Sequence, residues 1–116
     1  MIFIGISKDF SLADEQQYET IGQFWDEMAE AHGLENLQGL GYRWEGETIS
    51  YAIGLKDGIV EGGNFSMELP DDGWTMVEGE TDNLQEIYAD IYQDGALRYE
   101  IETFCHDGKC RILYIR

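Results

Sequence analysis

The chain has 116 residues, of which 43% are hydrophobic, and its 24 acidic and 7 basic side chains give a formal net charge of −17. This length predicts one domain, 1–116, with one hydrophobic core, and the apolar content excludes an intrinsically disordered chain. A strongly negative charge repels phosphate backbones and anionic lipids and attracts cations, so we expect no direct nucleic-acid partner and no membrane, while a protein partner stays unknown. We expect a cytoplasmic location, because the sequence shows neither a secretory leader nor an apolar run that could span a bilayer.

The chain begins with a predicted strand and a predicted helix. The apolar and β-branched residues MIFIGIS predict the strand, which we expect to be short. Residues 11–33 predict an amphipathic helix, because side chains that suit a buried face recur at every third or fourth position. These positions are Tyr18, Ile21, Trp25, Met28 and His32.

Residues 37–55 predict a β-hairpin whose turn falls within residues 45–48. Side chains alternate between the two faces of a strand, and either two-residue turn in this segment preserves the alternation across the hairpin. We therefore expect Tyr42 and Trp44 on the same face as Tyr51. The first half of the chain thus has the order strand, helix, strand, strand.

The second half repeats this order after a glycine-rich connection at residues 56–64. Residues 65–80 predict strand structure, and residues 81–95 predict a second amphipathic helix. Residues 97–104 and 110–116 predict a final hairpin. Two copies of this unit predict an α+β fold with pseudo-twofold symmetry, in which two main helices pack on one antiparallel sheet. We expect a central cleft where the two copies meet.

The final hairpin carries a two-residue turn signal, Asp-Gly, at residues 107–108. Such a turn predicts a strand register in which Cys105 lies directly opposite Cys110. The same register places Tyr114 on the face of the sheet opposite that of Glu102.

The segment CHDGKC contains three soft candidate metal ligands, Cys105, His106 and Cys110. Their spacing matches no zinc pattern and three ligands are one short of a structural site, so we expect no metal. We also expect no cofactor, because no phosphate loop occurs in the sequence. The two thiols either form a reversible cross-strand disulfide or stay inert.

The stretch YEIETF, residues 99–104, is unusual because two acids interrupt a strand that otherwise looks buried. Alternation puts Glu100, Glu102 and Phe104 on one face of this strand. The opposite face, with Ile101 at its centre, reads as core. The face with the two acids is either exposed to solvent or part of a site.

Several segments resemble those of one known family in their order and spacing. They are IGQFWDEM, GLGYRW, ISYAIGL, LPDDGWTMVEGE, IYQDGALRYEIETF and ILYIR, and together they cover nearly the whole chain. The family is that of the GyrI-like small-molecule-binding domains, which includes gyrase inhibitory protein and the effector-binding domains of bacterial multidrug-responsive transcription regulators. The resemblance implies a pseudo-twofold α+β fold whose central cleft binds hydrophobic, often cationic compounds between aromatic walls, around an acid that here matches Glu102.

Some relatives in that family carry a DNA-binding module, and others stand alone. This chain is similar to the stand-alone members, because it has neither the length nor the basic surface for a DNA-binding module. Some stand-alone relatives hydrolyse strained, cyclopropane-containing natural products, so the resemblance implies either binding or hydrolysis.

Glu102 is the central candidate residue, as the counter-charge of a bound cation. The aromatic candidates for the wall of the cleft, chosen because cation–π contacts need such rings, are Tyr42, Trp44, Tyr51, Phe104 and Trp25. The alternative is that Glu102 and its neighbour Glu100 are solvated acids and that the aromatic residues are ordinary core.

Two functions fit such a site. The first is a stand-alone protein that sequesters or senses hydrophobic, cationic small molecules such as drugs or toxins. The second is a hydrolase in which Glu102 is the catalytic general base and Tyr42 or Tyr51 supplies a second polar group. We favour binding, because a binding protein needs only a stable carboxylate.

Overall fold

A computed structural model describes residues 1–105 and 107–116. The strands within these residues are β1 (Ile2–Ser11), β2 (Leu37–Glu45), β3 (Thr48–Leu55), β4 (Phe65–Glu68), β5 (Thr75–Glu80), β6 (Tyr99–Phe104) and β7 (Lys109–Ile115). The α-helices are α1 (Gln17–His32) and α2 (Leu84–Gln93), and short 3-10 turns occupy Ala13–Glu15, Leu34–Asn36 and Thr81–Asn83. None of the helices in the described part of the chain is long and apolar enough to cross a membrane.

The strands form one antiparallel sheet in the order β4-β1-β3-β2-β6-β7-β5. The first half contributes β1-β3-β2 and the second half contributes β5-β7-β6, so the two halves have the same internal order. They meet where β2 pairs with β6 in the centre of the sheet. The predicted α+β fold, with its repeated strand-helix-strand-strand unit, is confirmed, and β4 is an additional edge strand.

The first strand is longer than predicted, because β1 has two partners along its ten residues. Its beginning pairs with β4, and the part from Ile6 to Ser11 pairs with β3. The change of partner occurs at Gly5, where a Cβ atom would lie 2.3 Å from the carbonyl oxygen of Ile53. Glycine is therefore required at this point by the close approach of the two backbones.

The first helix begins later than predicted. Asp14 and Glu15 have φ angles of 53° and 59°, in the left-handed region that residues other than glycine rarely adopt. They form a short 3-10 turn, and the regular helix starts at Gln17. It ends at Gly33, which has a φ of 86° and whose N–H donates to the carbonyl oxygen of Ala29 at 2.8 Å.

Both faces of the sheet are covered, but by different structures. Helix α1 packs Phe24 and Met28 against β3 residues such as Ile53, and α2 packs Ile91 against Ile112 of β7, on the same face. The opposite face has its own cluster, Phe3, Leu40, Ala52, Leu69 and Ile101. In the middle of the central strands, residues on both faces are therefore buried, for example Ile101 and Glu102.

A β-bulge in β2 changes the expected face of Tyr42. Gly41 pairs with Tyr51, and Arg43 pairs with Ser50, so Tyr42 is an extra residue that has no partner in β3. Its ring stacks on Phe65 at 4.7 Å between centroids, on the face away from the helices. The prediction that Tyr42 shares a face with Tyr51 is wrong, because simple alternation does not account for an inserted residue.

The register of the last hairpin also differs from the prediction by one residue. Phe104 pairs with Cys110, and the N–H of Cys105 donates to the carbonyl oxygen of Lys109 at 2.9 Å. Gly108, with a φ of 79°, supplies the left-handed residue that hairpin loops longer than two residues need. Cys105 therefore does not face Cys110; both thiols are free, the first exposed and the second buried.

This shift moves Tyr114 as well. Tyr114 pairs with Glu100 and packs in the cluster beneath α2, so it lies on the same face as Glu102 and not on the opposite face. The prediction failed because it assumed a two-residue turn. His106, one of the three candidate metal ligands, lies outside the described residues.

Candidate functional site

A cavity of about 520 Å³ lies between the two helices and the face of the sheet that they cover. Its wall is mostly apolar and includes seven aromatic side chains, Tyr18, Trp25, Trp44, Tyr51, Tyr88, Tyr92 and Phe104. Three lining side chains are also among the exposed large hydrophobic residues, Tyr18 (38% exposed), Leu34 (39%) and Tyr92 (36%). The cavity therefore opens to solvent where these three side chains lie.

The carboxylates of Glu100 and Glu102 belong to the wall of this cavity. Both side chains are buried, at 4% and 5% exposure, so neither is the solvated acid of the alternative hypothesis. Alternation along β6 places them on the same face, as predicted. The acidic face of YEIETF thus lies against a cavity and not against bulk solvent.

Glu102 accepts hydrogen bonds from three side chains. Trp25 Nε1 donates to Oε1 at 3.0 Å, the Tyr51 hydroxyl also donates to Oε1, and the Tyr88 hydroxyl donates to Oε2 at 2.6 Å. The donors come from α1, β3 and α2, so both halves of the chain contribute to the arrangement. A carboxylate has about four lone-pair sites, so one site on Oε2 is left for a further donor.

Glu100 has a separate and poorer set of contacts. The Tyr92 hydroxyl donates to its Oε2 at 2.7 Å, from the exposed end of the cavity. Tyr88 and Tyr92 are four residues apart on α2, and their rings stack at 5.8 Å with an interplanar angle of 17°. One helix face thus supplies one hydroxyl donor to each of the two glutamates.

Two glycines of β2 make room for the polar groups. Gly39 is the cross-strand neighbour of Glu102, and Gly41 is that of Glu100. A Cβ atom at Gly39 would lie 2.1 Å from the Tyr51 hydroxyl, and one at Gly41 would lie 2.9 Å from Glu100 Oε1. The two glycines of the Gly-x-Gly sequence in β2 therefore leave the space that the polar groups around the two glutamates of β6 occupy.

Burial controls the proton affinity of both acids. Removal from water raises the pKa of Glu102 above its usual value, and the hydrogen bonds from Tyr51, Tyr88 and Trp25 partly oppose this shift. Burial raises the pKa of Glu100 to about 8; the bond from Tyr92 lowers it, and the nearby Glu102 raises it. At neutral pH the folded chain therefore carries a proton on Glu100.

The neighbouring hydroxyls stay protonated. Burial and the two carboxylates raise the pKa values of Tyr51 and Tyr88 well above that of free tyrosine, and the same causes raise the pKa of Tyr92. All three phenols are consequently donors over the pH range in which the protein would function.

The structure brings together five of the six side chains that the sequence singled out. Glu102 and four aromatic residues, Trp25, Trp44, Tyr51 and Phe104, line the cavity. The ring of Trp25 meets that of Phe104 edge to face at 4.9 Å. Tyr42 lies on the other side of the sheet, so it does not belong to this site.

Sequence reasoning missed the contribution of α2. The sequence predicts only an amphipathic helix over residues 81–95 and no role in the site for Tyr88 or Tyr92, although both donate a hydroxyl hydrogen bond to a glutamate. Two tyrosines four residues apart on an otherwise aliphatic helix face were the available signal, because buried phenols require polar partners. Gln17 was also missed; its Oε1 is buried in the cavity wall without a hydrogen-bond partner among the described residues.

Neither a metal centre nor a known relative accounts for this cavity. Residues 1–105 and 107–116 contain no group of three His, Cys, Asp or Glu side chains arranged to hold a metal ion. The sequence matches no protein-family model, and neither a curated protein nor a solved structure shows significant similarity to the chain.

Proposed function

We propose that this chain binds hydrophobic small molecules that carry a cationic group, and that it sequesters or senses them in the cavity between its two helices. The observation that carries the proposal is a buried carboxylate, Glu102, within an aromatic wall. Such a wall favours a cation because the faces of aromatic rings are electron-rich. The resemblance to GyrI-like domains, in which an acid at this position faces a hydrophobic cleft, supports the same function.

The size and charge of the molecule support this assignment. A cavity of about 520 Å³ falls within the range of roughly 300–1,000 Å³ of sites that take drug-sized ligands. The net charge of −17 raises the local concentration of cations near the surface. Glu102, whose Oε2 has one lone-pair site that the three donors do not use, supplies the counter-charge for the cationic group of the ligand.

A dye-displacement titration tests the proposal. We expect lipophilic cations, such as rhodamine-type dyes and quaternary ammonium compounds, to bind with micromolar dissociation constants. Size-matched anionic dyes should bind at least about tenfold more weakly, a difference of about 1.4 kcal/mol. Equal binding of both classes would refute the role of the carboxylate.

One observation favours a second candidate function, hydrolysis of strained electrophiles. The hydroxyl of Tyr51 donates to Glu102, so a carboxylate with a raised pKa and a second polar group are adjacent in the same cavity. In this case Glu102 takes a proton from a water molecule as the water oxygen attacks the electrophilic carbon, a C–C bond of the strained ring breaks, and the carbon that leaves takes that proton back from Glu102. Incubation with a cyclopropane-bearing electrophile and mass analysis of the mixture tests it; an unchanged substrate leaves binding as the function.

We also propose a cytoplasmic location, because both cysteines are free and a reducing compartment preserves free thiols.

A further inference from the structure

Glu100 is a second acid in the same cavity, and the binding of a single cation at Glu102 does not require it. Its side chain is as buried as that of Glu102, but it accepts one side-chain hydrogen bond where Glu102 accepts three. Burial of a carboxyl group without sufficient partners is costly. The site therefore keeps an acid at a position where an apolar side chain would be more stable.

A second polar atom in the wall also lacks a partner. Gln17 Oε1 is buried, lines the cavity and accepts no hydrogen bond from any described residue. Gln17 directly precedes Tyr18, whose pKa is raised by burial and by the charges of Glu15 and Glu100. Gln17 at the start of α1 and Glu100 on β6 thus both contribute hydrogen-bond acceptors to the wall of the cavity.

We propose that Glu100 is the counter-charge for a second cationic group, so that the preferred ligand is a hydrophobic molecule with two amines. This inference rests on the proposed binding function and identifies its ligand class. One ammonium lies at Glu102 and the other at Glu100. The unpaired Oε1 of Gln17 is an additional acceptor for N–H groups of the ligand.

The spacing of the acids sets the separation of the two amines. Glu100 and Glu102 are two residues apart on one face of β6, which corresponds to about 7 Å along a strand. Two ammonium groups joined by four methylenes span a comparable distance. Aromatic groups on such a ligand pack against the rings of the wall, for example Trp25 and Phe104.

The binding of a second cation changes the protonation of Glu100. In the free protein the carboxyl group is protonated at neutral pH, since its pKa is about 8. The ionisable groups around it are Tyr92 and Tyr88 on α2, Tyr18 on α1, Tyr51 on β3, Tyr114 on β7 and Glu102 on its own strand. None of these is cationic, so the second ammonium of the ligand supplies the positive charge and Glu100 releases its proton on binding.

A pair of matched amines tests the inference by isothermal titration. N-(1-naphthylmethyl)butane-1,4-diamine carries two ammonium groups, and N-(1-naphthylmethyl)pentan-1-amine replaces the terminal ammonium with a methyl group. We expect the diamine to bind the unmodified protein at least about tenfold more tightly at pH 7, a change of about 1.4 kcal/mol. Titrations in buffers of different ionisation enthalpy should show proton release with the diamine and not with the monoamine.

The variant Glu100→Gln should abolish both the preference for the diamine and the proton release. Exposed Glu61, which does not line the cavity, gives the control Glu61→Gln, which should retain the preference. If the monoamine binds as tightly as the diamine to the unmodified protein, the second subsite is refuted and the proposed binding function stands. If neither amine binds, both are refuted.

Discussion

Glu102 accepts hydrogen bonds from three different elements. Because glutamine has nearly the same shape as glutamate, a substitution there removes the charge and leaves the packing almost unchanged. The variant Glu102→Gln should lower the affinity for a lipophilic monocation at least about tenfold, or 1.4 kcal/mol, because the neutral amide no longer offsets the ligand's charge. Isothermal titration of both proteins with a rhodamine-type dye measures the difference. If the hydrolase hypothesis is correct, the same variant should lose turnover of a neutral electrophile and still bind it.

The control for that experiment must be an exposed acid. Glu100 is unsuitable, although it lies only two residues away, because it is buried in the same cavity. Glu61→Gln removes one negative charge from the surface and should change the affinity by less than about 1 kcal/mol. A similar loss in Glu61→Gln and Glu102→Gln would show that the effect is one of net charge alone.

The raised pKa of Glu100 predicts a stability that depends on pH. Between its ordinary pKa of 4.5 and its folded value of about 8, the folded chain holds this proton and the unfolded chain has released it. Stability from this group is therefore greatest below pH 4.5 and is lost as the pH rises towards 8. Between pH 5 and pH 8.5 the free energy of unfolding should fall by on the order of 4 kcal/mol less in Glu100→Gln than in the unmodified chain, as urea unfolding at the two pH values would show.

The Glu61→Gln variant is again the reference, because it leaves the buried proton in place. It should show the same pH dependence as the unmodified protein. Parallel curves for all three proteins would mean that Glu100 titrates normally in the folded chain, and the account of its burial would be wrong.

At the scale of elements, the close fit of β2 against the polar cluster predicts the effect of one added methyl group. Gly39→Ala would place Cβ 2.1 Å from the Tyr51 hydroxyl and 2.6 Å from Cζ2 of Trp25. We expect a loss of stability of about 1–3 kcal/mol, because the surrounding side chains must move. Cation affinity should fall as well, since two of the donors to Glu102 are displaced; urea unfolding and dye titration measure the two effects.

The matched control for stability is another glycine-to-alanine change. Gly22 lies in the middle of α1, and an added Cβ atom would meet nothing within 4 Å. Gly22→Ala should therefore stabilise the protein by about 0.5–1 kcal/mol through helix propensity. A destabilisation of equal size in both variants would contradict the steric role assigned to Gly39.

Periodicity was sufficient to predict most elements of this fold. The helical spacing in residues 11–33 and 81–95 and the alternation in YEIETF predicted α1, α2 and the shared face of Glu100 and Glu102. Registers were less predictable, because each depends on a single inserted residue. The bulge at Tyr42 reversed one side chain, and the longer loop after Phe104 shifted every pair between β6 and β7.

The part of the site that sequence could not predict comes from tertiary contacts. The sequence around Tyr88 and Tyr92 does not predict which acid accepts a hydrogen bond from each hydroxyl. The acceptors, Glu102 and Glu100, lie 14 and 8 residues away on another element. The burial of Glu100 likewise depends on the helix that covers it. Alternation limits such a residue to one face of a strand but does not determine what covers that face.

At the scale of the whole molecule, the net charge of −17 predicts poor binding to nucleic acids. Proteins bind nucleic acids largely because their basic side chains displace counterions from the phosphates, and a protein of this charge gains little from that displacement. A gel-shift titration with double-stranded DNA at low salt should show no complex, whereas a salt-resistant shift would contradict the assignment. Binding of lipophilic cations should weaken as salt is added, because long-range attraction is screened.

The short central pairing of β2 with β6 has a consequence for the rate at which the protein unfolds. Four residue pairs join the halves there, and the bonds from Trp25 and Tyr51 to Glu102 connect residues 77 and 51 positions apart. Contacts of such long range form late in folding, after the local hairpins and helices. A ligand held between the halves should therefore slow unfolding and leave the folding rate nearly unchanged, as stopped-flow denaturant jumps would show. In a cell, the lifetime of the protein would then report how much ligand is present.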